Sequence, residues 1–265
     1  FIICLKNRDS MNKFSLIINT RTLAITTLSV VITHLCILFH LVANFPLAII
    51  ATAVVFPIVF SIGGAYKRRE TALQEYSSIK AHGMCFYFAT RDWLQEPDDL
   101  RLVKCRQTLS NTFIKMRTLL IEDISHMEKN EKEVYQAFSS LSHFVEDEIR
   151  VNNLAVGEIS RCSQYISKMM ISFENLKHIY QYRTPKTLRA YSSFFIIVLP
   201  ILYGPYFAHI AQGYSASLAY IMPALFSMIF VSLDNIQAQL ENPFDQYGED
   251  DIQINAEKFI SRLTE

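Results

Sequence analysis

The sequence predicts an all-α membrane protein with four transmembrane helices in two hairpins and a large cytosolic helical region between them. Two runs carry the prediction: residues 22–65 and 190–233 contain no Asp, Glu, Lys or Arg. Each run is long enough to cross a bilayer twice, because one crossing needs about 20 apolar residues. Buried cores of soluble proteins also contain apolar runs, but rarely of this length without charge. We therefore interpret both runs as membrane hairpins.

Each hairpin divides at a short turn. The first turn is predicted at Val42–Pro46, since a proline is a common signal for the start of the following helix. The second is predicted at Gln212–Gly213, where a polar residue and a glycine interrupt the apolar run. The predicted spans, in chain order, are Thr22–Leu41, Leu47–Ala65, Tyr191–Ile210 and Ser215–Leu233.

Basic residues lie on one side of both hairpins. Lys67, Arg68 and Arg69 follow the second span directly, and Arg189 comes just before the second hairpin, whereas neither turn carries a charge. The positive-inside rule then places both termini and the central region in the cytosol. The predicted organisation is an N-terminal cytosolic segment (1–21), a first hairpin (22–65), a cytosolic helical region (66–189), a second hairpin (190–233) and a C-terminal cytosolic tail with an acidic loop (234–265).

The central region is predicted to be helical. Its apolar residues recur mostly at intervals of three and four, the spacing of amphipathic helices. We expect the segment Lys67–Trp93 to continue the second span as one long helix. Helix breaks are predicted at Glu96–Asp99, Lys129–Lys132 and Val151–Asn153.

Several function classes lack support. The 25 basic residues are balanced by 25 acidic ones, and no basic surface interleaved with aromatic residues suggests nucleic acid. Five scattered cysteines show no zinc-ligand spacing. No catalytic motif is present, so we expect no enzyme and no catalytic residue. His34, His40 and His209 lie in or near the spans, where histidine is a candidate functional residue, although we favour hydrogen bonding within the helix or an interfacial position as their explanation.

The second span carries the most informative pattern. Thr52, Phe56 and Phe60 recur at intervals of four and share one helix face. If several copies of this helix surrounded an axis, the phenylalanines would form rings, and such constrictions gate by dewetting. The positive edges of these rings can face an anion, and Lys67–Arg69 would attract anions from the cytosol. A pair of lipid-facing or packed phenylalanines has the same spacing.

The tail narrows these alternatives. Residues 239–251 read QLENPFDQYGEDD, which resembles the segment after the fourth span of the bestrophin family of anion channels, with Asp245–Tyr247 as an insertion. The order of spans and helical region also resembles that family over nearly the whole chain. The matching residues are Gln239, Leu240, Asn242, Pro243, Phe244, Gly248, Glu249, Asp250 and Asp251.

The resemblance implies a homopentameric channel for chloride or bicarbonate. Its narrow hydrophobic neck would be formed by Thr52, Phe56 and Phe60, in the position of the family's neck residues, and the Thr52 ring would be the most polar. A second, cytosolic constriction is implied at His178 or its neighbour Ile179. If His178 occupies it, the exit would be titratable near neutral pH.

Calcium is a further expectation from the resemblance. Animal bestrophins bind Ca²⁺ through an acidic run and main-chain carbonyl groups, which are hard-oxygen ligands. Asp250 and Asp251 match the start of that run, but Ile252 and Gln253 follow where another acid would be wanted. A solvated acidic turn before a helix is the alternative.

Two other classes remain open. An alternating-access transporter would show broken helices in matching halves, and prolines do interrupt three of the predicted spans, although no inverted repeat is visible. A non-conducting membrane scaffold, with the helical region as its binding surface, also fits the sequence. Anion current through the purified protein would separate a channel from both.

Overall fold

The computed structural model describes residues 17–94, 99–152, 154–182, 186–213, 217–245 and 251–263, which are largely helical and contain no strand. The α-helices of this part of the chain are α1 (Thr20–Leu38), α2 (Leu47–Asp92), α3 (Asp99–Ile121), α4 (Met127–Phe144), α5 (Val156–Gln181), α6 (Lys186–Gly213), α7 (Leu218–Leu240) and α8 (Ala256–Ser261).

The predicted fold class is confirmed. Four helices are long and apolar enough to cross a membrane: α1, α2, α6 from Thr187 to Gly213, and α7. They follow one another as two pairs, with α3, α4 and α5 between the pairs. The expected long helix is also confirmed, because α2 runs without interruption through the second span to Asp92.

Two helix ends differ from the predicted span ends. First, α1 ends at Leu38, and His40 turns the chain with a positive φ of 53°. Second, α7 continues past Leu233 to Leu240. A charged residue such as Asp234 limits how far a segment enters the bilayer but does not end a helix, so the helix is longer than the predicted span.

One predicted break is wrong. Lys129–Lys132 lies inside α4, because its lysine and glutamate residues are good helix formers on an exposed face. The chain instead turns at Asp123, whose side chain accepts a hydrogen bond from the Ser125 N–H. Asn130 donates to the Glu122 carboxylate at 2.9 Å and so ties the start of α4 to this turn.

The chain divides into two compact units, and the first comprises Phe1–Lys67 and Thr184–Glu241. Here α1 packs against both α6 and α7. Gly204 permits the close approach of α6 to α1, since a Cβ there would lie 2.7 Å from Cγ2 of Ile32. Small residues at such contacts are typical of helix packing in membranes. The buried core is formed by Ile25, Val54, Ile58, Ile196, Leu199, Tyr203, Phe207, Phe230 and Val231.

The second unit comprises Arg68–Arg183 and Asn242–Glu265. Its core joins the part of α2 after Lys67 to α3, α4 and α5 and contains residues of the tail. Phe244 is fully buried, and Phe259 stacks on Phe113 with ring centroids 4.1 Å apart. Phe244 and Phe259 of the tail are therefore part of this core.

Candidate functional site

The candidate neck residues lie on an exposed face of α2. Phe56 and Phe60 are 59% and 65% exposed, whereas Val54 and Ile58 are buried on the side that packs in the first unit. The two phenylalanine rings contact each other edge-on, with centroids 4.8 Å apart. No described residue of this chain covers the face they form.

Thr52 is also exposed, one turn before Phe56. Its hydroxyl donates to the Ala48 carbonyl at 2.7 Å. The donor is therefore satisfied within α2, and the ring that Thr52 would contribute has a hydroxyl oxygen available only as an acceptor. The polar ring expected at Thr52 would therefore present hydrogen-bond acceptors and no free donors.

A hydrogen bond from α6 supports α2 next to the phenylalanines. Pro57 lies inside α2 and lacks the N–H that would bond the Ala53 carbonyl. The Tyr191 hydroxyl donates to that carbonyl at 3.2 Å. Tyr191 thus replaces the bond that proline removes, at the turn that carries Phe56.

The basic cluster follows the neck along α2. Lys67 is exposed, and Arg68 and Arg69 are half-buried. Arg69 pairs with its neighbour Glu70 at 2.9 Å, so part of the positive charge is offset locally.

Two ion pairs fasten the ends of the helices in the first unit. Arg21 donates to the buried carboxylate of Asp234 at 2.7 Å, joining α1 to α7. Next to it, Asn235 donates to the Ile17 carbonyl at 2.7 Å. Arg189 of α6 pairs with the buried Glu241 at 2.7 Å. Sequence analysis missed these pairs, although bases just before and acids just after the apolar runs were visible.

The structure separates the two candidates for the cytosolic constriction. Ile179 is buried in the core of the second unit, whereas His178 is exposed. The His178 ring lies 4.7 Å from that of Tyr182. Of the pair, only His178 is therefore placed to line a passage.

A charge network surrounds the buried Lys177, the residue before His178. Lys177 bonds Glu131 at 2.7 Å, Glu174 at 2.6 Å and the Tyr135 hydroxyl at 2.7 Å. The hydrogen bond from Lys177 lowers the pKa of Glu131, against the opposing effect of burial, and Tyr135 lowers it further. Burial alone would lower the pKa of Lys177, but its three hydrogen-bonded partners raise it. The hydrogen bonds between Lys177 and Glu131 therefore favour the charged form of both side chains.

The histidines near the spans have different surroundings. His34 is exposed, and its Nδ1 lies 3.0 Å from the Tyr220 hydroxyl. His40 lines a cavity of about 300 Å³ together with Gln212 and Tyr220. The contact with Tyr220 therefore gives His34 a hydrogen-bond partner within the fold.

The calcium expectation concerns the acidic loop of the tail. Asp250 of this loop lies outside the described residues. Asp251 is described and half-buried, and the next residue, Ile252, donates its N–H to the Pro243 carbonyl at 2.7 Å. Among the described residues, no group of three His, Cys, Asp or Glu side chains could hold a metal ion. Calcium binding by Asp250 and Asp251 therefore stays a prediction.

Sequence comparisons find no relative. No known protein family matches the chain, and no curated protein matches it at a significant level.

Solved structures do match. A point mutant of a bacterial bestrophin homologue from Klebsiella pneumoniae has a TM-score of 0.74 at 13% identity, covering 93% of this chain and 100% of that chain. A second point mutant gives 0.72 at 12%, covering 92% and 99%. A further structure of that homologue gives 0.72 at 13%, covering 91% and 96%. With its four apolar helices, the chain is therefore a multi-pass integral membrane protein with the fold of the bestrophin homologues.

Proposed function

We propose that the protein is an anion-selective channel for chloride or bicarbonate, formed by five copies around one pore. The observation that carries this proposal is the exposed face of α2, on which Phe56 and Phe60 stand in contact with each other and away from the core. One subunit cannot enclose a pore lined by a single helix. The copies must therefore form a closed ring in which each contributes this face.

The same face has features that lipid contact does not explain. It contains the threonine at position 52 and Gly63, which is exposed with nothing within 4 Å of a Cβ placed on it. It then reaches Lys67 within one further turn. In a pore, the phenylalanine rings would form the dewetting constriction, and the basic cluster would concentrate anions at its cytosolic end.

The orientation in the membrane completes the proposal. Both termini and the region between the hairpins lie in the cytosol, according to the distribution of basic residues. His178, exposed on α5, would form the second constriction. We keep calcium as a candidate ligand of the tail loop.

The structure favours a channel over the transporter alternative. The prolines in the spans do not break their helices. Pro57 lies inside α2, Pro200 and Pro205 inside α6, and Pro223 inside α7, and each of these helices is continuous. The broken helices that mark many transporter sites are therefore not found in the described parts of the spans. Only a measurement of anion flux separates the scaffold alternative from a channel.

The test compares two double variants in liposome anion-flux assays. Phe56→Ala with Phe60→Ala should widen the neck and raise the flux by about tenfold, because a dewetting barrier depends steeply on the size and apolarity of the constriction. The matched control is Phe194→Ala with Ile197→Ala on α6, two residues that are also exposed, at 60% and 51%. The control should leave flux unchanged. Equal flux in both variants, or no flux in the wild type, would contradict the proposal.

A further inference from the structure

The tail helix α8 is seated on α2 within the second unit. A Cβ on Gly83 would lie 3.1 Å from Cζ of Phe259, so the absence of a side chain at Gly83 lets the Phe259 ring pack there. One residue before α8, the backbone of Asn255 hydrogen-bonds the Tyr76 hydroxyl. Tyr76 and Gly83 are two turns apart on one face of α2, and α8 therefore lies along that face.

This packing gathers three basic side chains. Lys80 lies between Tyr76 and Gly83 on the same face, is half-buried, and holds its ammonium group 4.5 Å from the centroid of the Tyr76 ring. Lys258 and Arg262 are four residues apart on the exposed side of α8, which makes them neighbours. Partial burial, and then the charges of Arg262 and Lys258, lower the pKa of Lys80.

No carboxylate of the described residues pairs with these three side chains. Glu257, the acid that precedes Lys258 in the chain, is engaged by Arg117 at 3.1 Å. Isolated surface cations are usually just solvated. Here, however, two distant segments of the chain are packed so that like charges adjoin, which disfavours the docking of α8 unless an anion neutralises them.

We propose that Lys80, Lys258 and Arg262 form a binding site for a multiply charged phosphate anion. The planar guanidinium of Arg262 can bond two phosphate oxygens at once, and the two lysines supply mobile point charges. Such a ligand would bridge α2 and α8 and hold the tail on the long helix. The site shares no residue with the proposed anion pathway, and binding there does not depend on conduction.

The test measures binding of inorganic tripolyphosphate to the full-length protein in detergent, by calorimetry and by thermal shift at constant ionic strength. The variant combines Lys80→Gln, Lys258→Gln and Arg262→Gln. The control combines Lys129→Gln, Arg161→Gln and Lys168→Gln, which removes the same charge from exposed positions of the same unit. We expect the first variant to lose at least about tenfold in affinity, the value of one charge-assisted contact, and the control to bind as the wild type does.

Two further arms make the result decisive. Nanodiscs of phosphatidylcholine, with and without phosphatidylinositol bisphosphate, distinguish a lipid headgroup from a soluble phosphate as the source of the same chemistry. Without any anion, the first variant should unfold at the same or a higher temperature than the wild type, because it removes repulsion. Absent binding to either probe, equal losses in variant and control, or a lower unfolding temperature of the anion-free variant would overturn the proposal.

Discussion

At the scale of single residues, the hydroxyl of Tyr191 has a specific structural role. It donates a hydrogen bond to the carbonyl of Ala53, which Pro57 leaves without a partner, next to Phe56. An unsatisfied carbonyl in a membrane helix is costly, since neither lipid nor water inside the bilayer replaces the bond. Tyr203, on the same helix, differs because its buried hydroxyl has no hydrogen-bond partner among the described residues.

These two tyrosines make a matched pair of variants. Tyr191→Phe should destabilise the protein by about 1 kcal/mol, the net value of one hydrogen bond. Tyr203→Phe should be neutral or stabilising, because it removes a buried hydroxyl without a partner. Thermal unfolding in detergent, followed by intrinsic fluorescence, measures both. If the two variants behave alike, the bond to Ala53 contributes nothing to stability.

The network around Lys177 predicts a change in the sign of the pH dependence. In the wild type the pKa of Glu131 is lowered, so its stabilising contribution is full above the unfolded value of about 4.3 and is lost as pH falls through the folded value. In Lys177→Met, burial and the neighbouring carboxylate of Glu174 should raise that pKa instead. The variant should then gain stability as pH falls from 6 toward 4.

The control for this experiment is Lys132→Met, because Lys132 pairs with Glu128 on the exposed surface. Exposed pairs contribute little, and this variant should follow the wild-type profile. Parallel unfolding profiles of wild type and Lys177→Met between pH 6 and 4 would refute the predicted reversal.

At the scale of elements, Gly204 sets the distance between α6 and α1. Gly204→Ala would place its Cβ 2.7 Å from Ile32 Cγ2 and 3.1 Å from Cys36 Sγ. Ile32 is β-branched and has one favoured rotamer in a helix, so it cannot turn away. The helices must separate, at a cost of about 1–3 kcal/mol.

Adding Ile32→Ala should recover part of that loss, because it removes the clashing methyl group. Gly157→Ala is the matched control, since nothing lies within 4 Å of a Cβ at this position in α5. It should gain up to about 1 kcal/mol from helix propensity. Unfolding temperatures of the four proteins test the prediction; equal effects of Gly204→Ala and Gly157→Ala would show that the contact is not tight.

The sequence was sufficient for the type and order of the membrane helices, since runs without charge report directly on length and apolarity. It was less informative for their ends, because Asp234 remains helical beyond the apolar run. The predicted break at Lys129–Lys132 was wrong because polar residues occur both in turns and on the exposed faces of helices. Tyr191, Arg21 and Arg189 could not be assigned partners, since these depend on how separate helices pack. Spacing did identify Phe56 and Phe60 as one face, and the structure shows that face exposed.

At the scale of the whole molecule, the central expectation is a closed ring of copies. The chain has a mass of 30.6 kDa, and native mass spectrometry from detergent should give about five times this value if the ring has five members. A ring of another number would keep the channel proposal but change its symmetry. A monomer or dimer would leave the exposed face of α2 without a pore to line.

The most direct test of the central claim is the reversal potential of the purified protein in a planar bilayer under a KCl gradient. A channel lined by Phe56 and Phe60 and fed from Lys67–Arg69 should reverse close to the chloride equilibrium potential, about 59 mV for a roughly tenfold gradient. The reversal should stay on the chloride side when the neck phenylalanines are replaced by alanine, since the basic cluster remains. A reversal at the potassium potential, or the absence of any current from folded oligomer, would contradict an anion-selective pore.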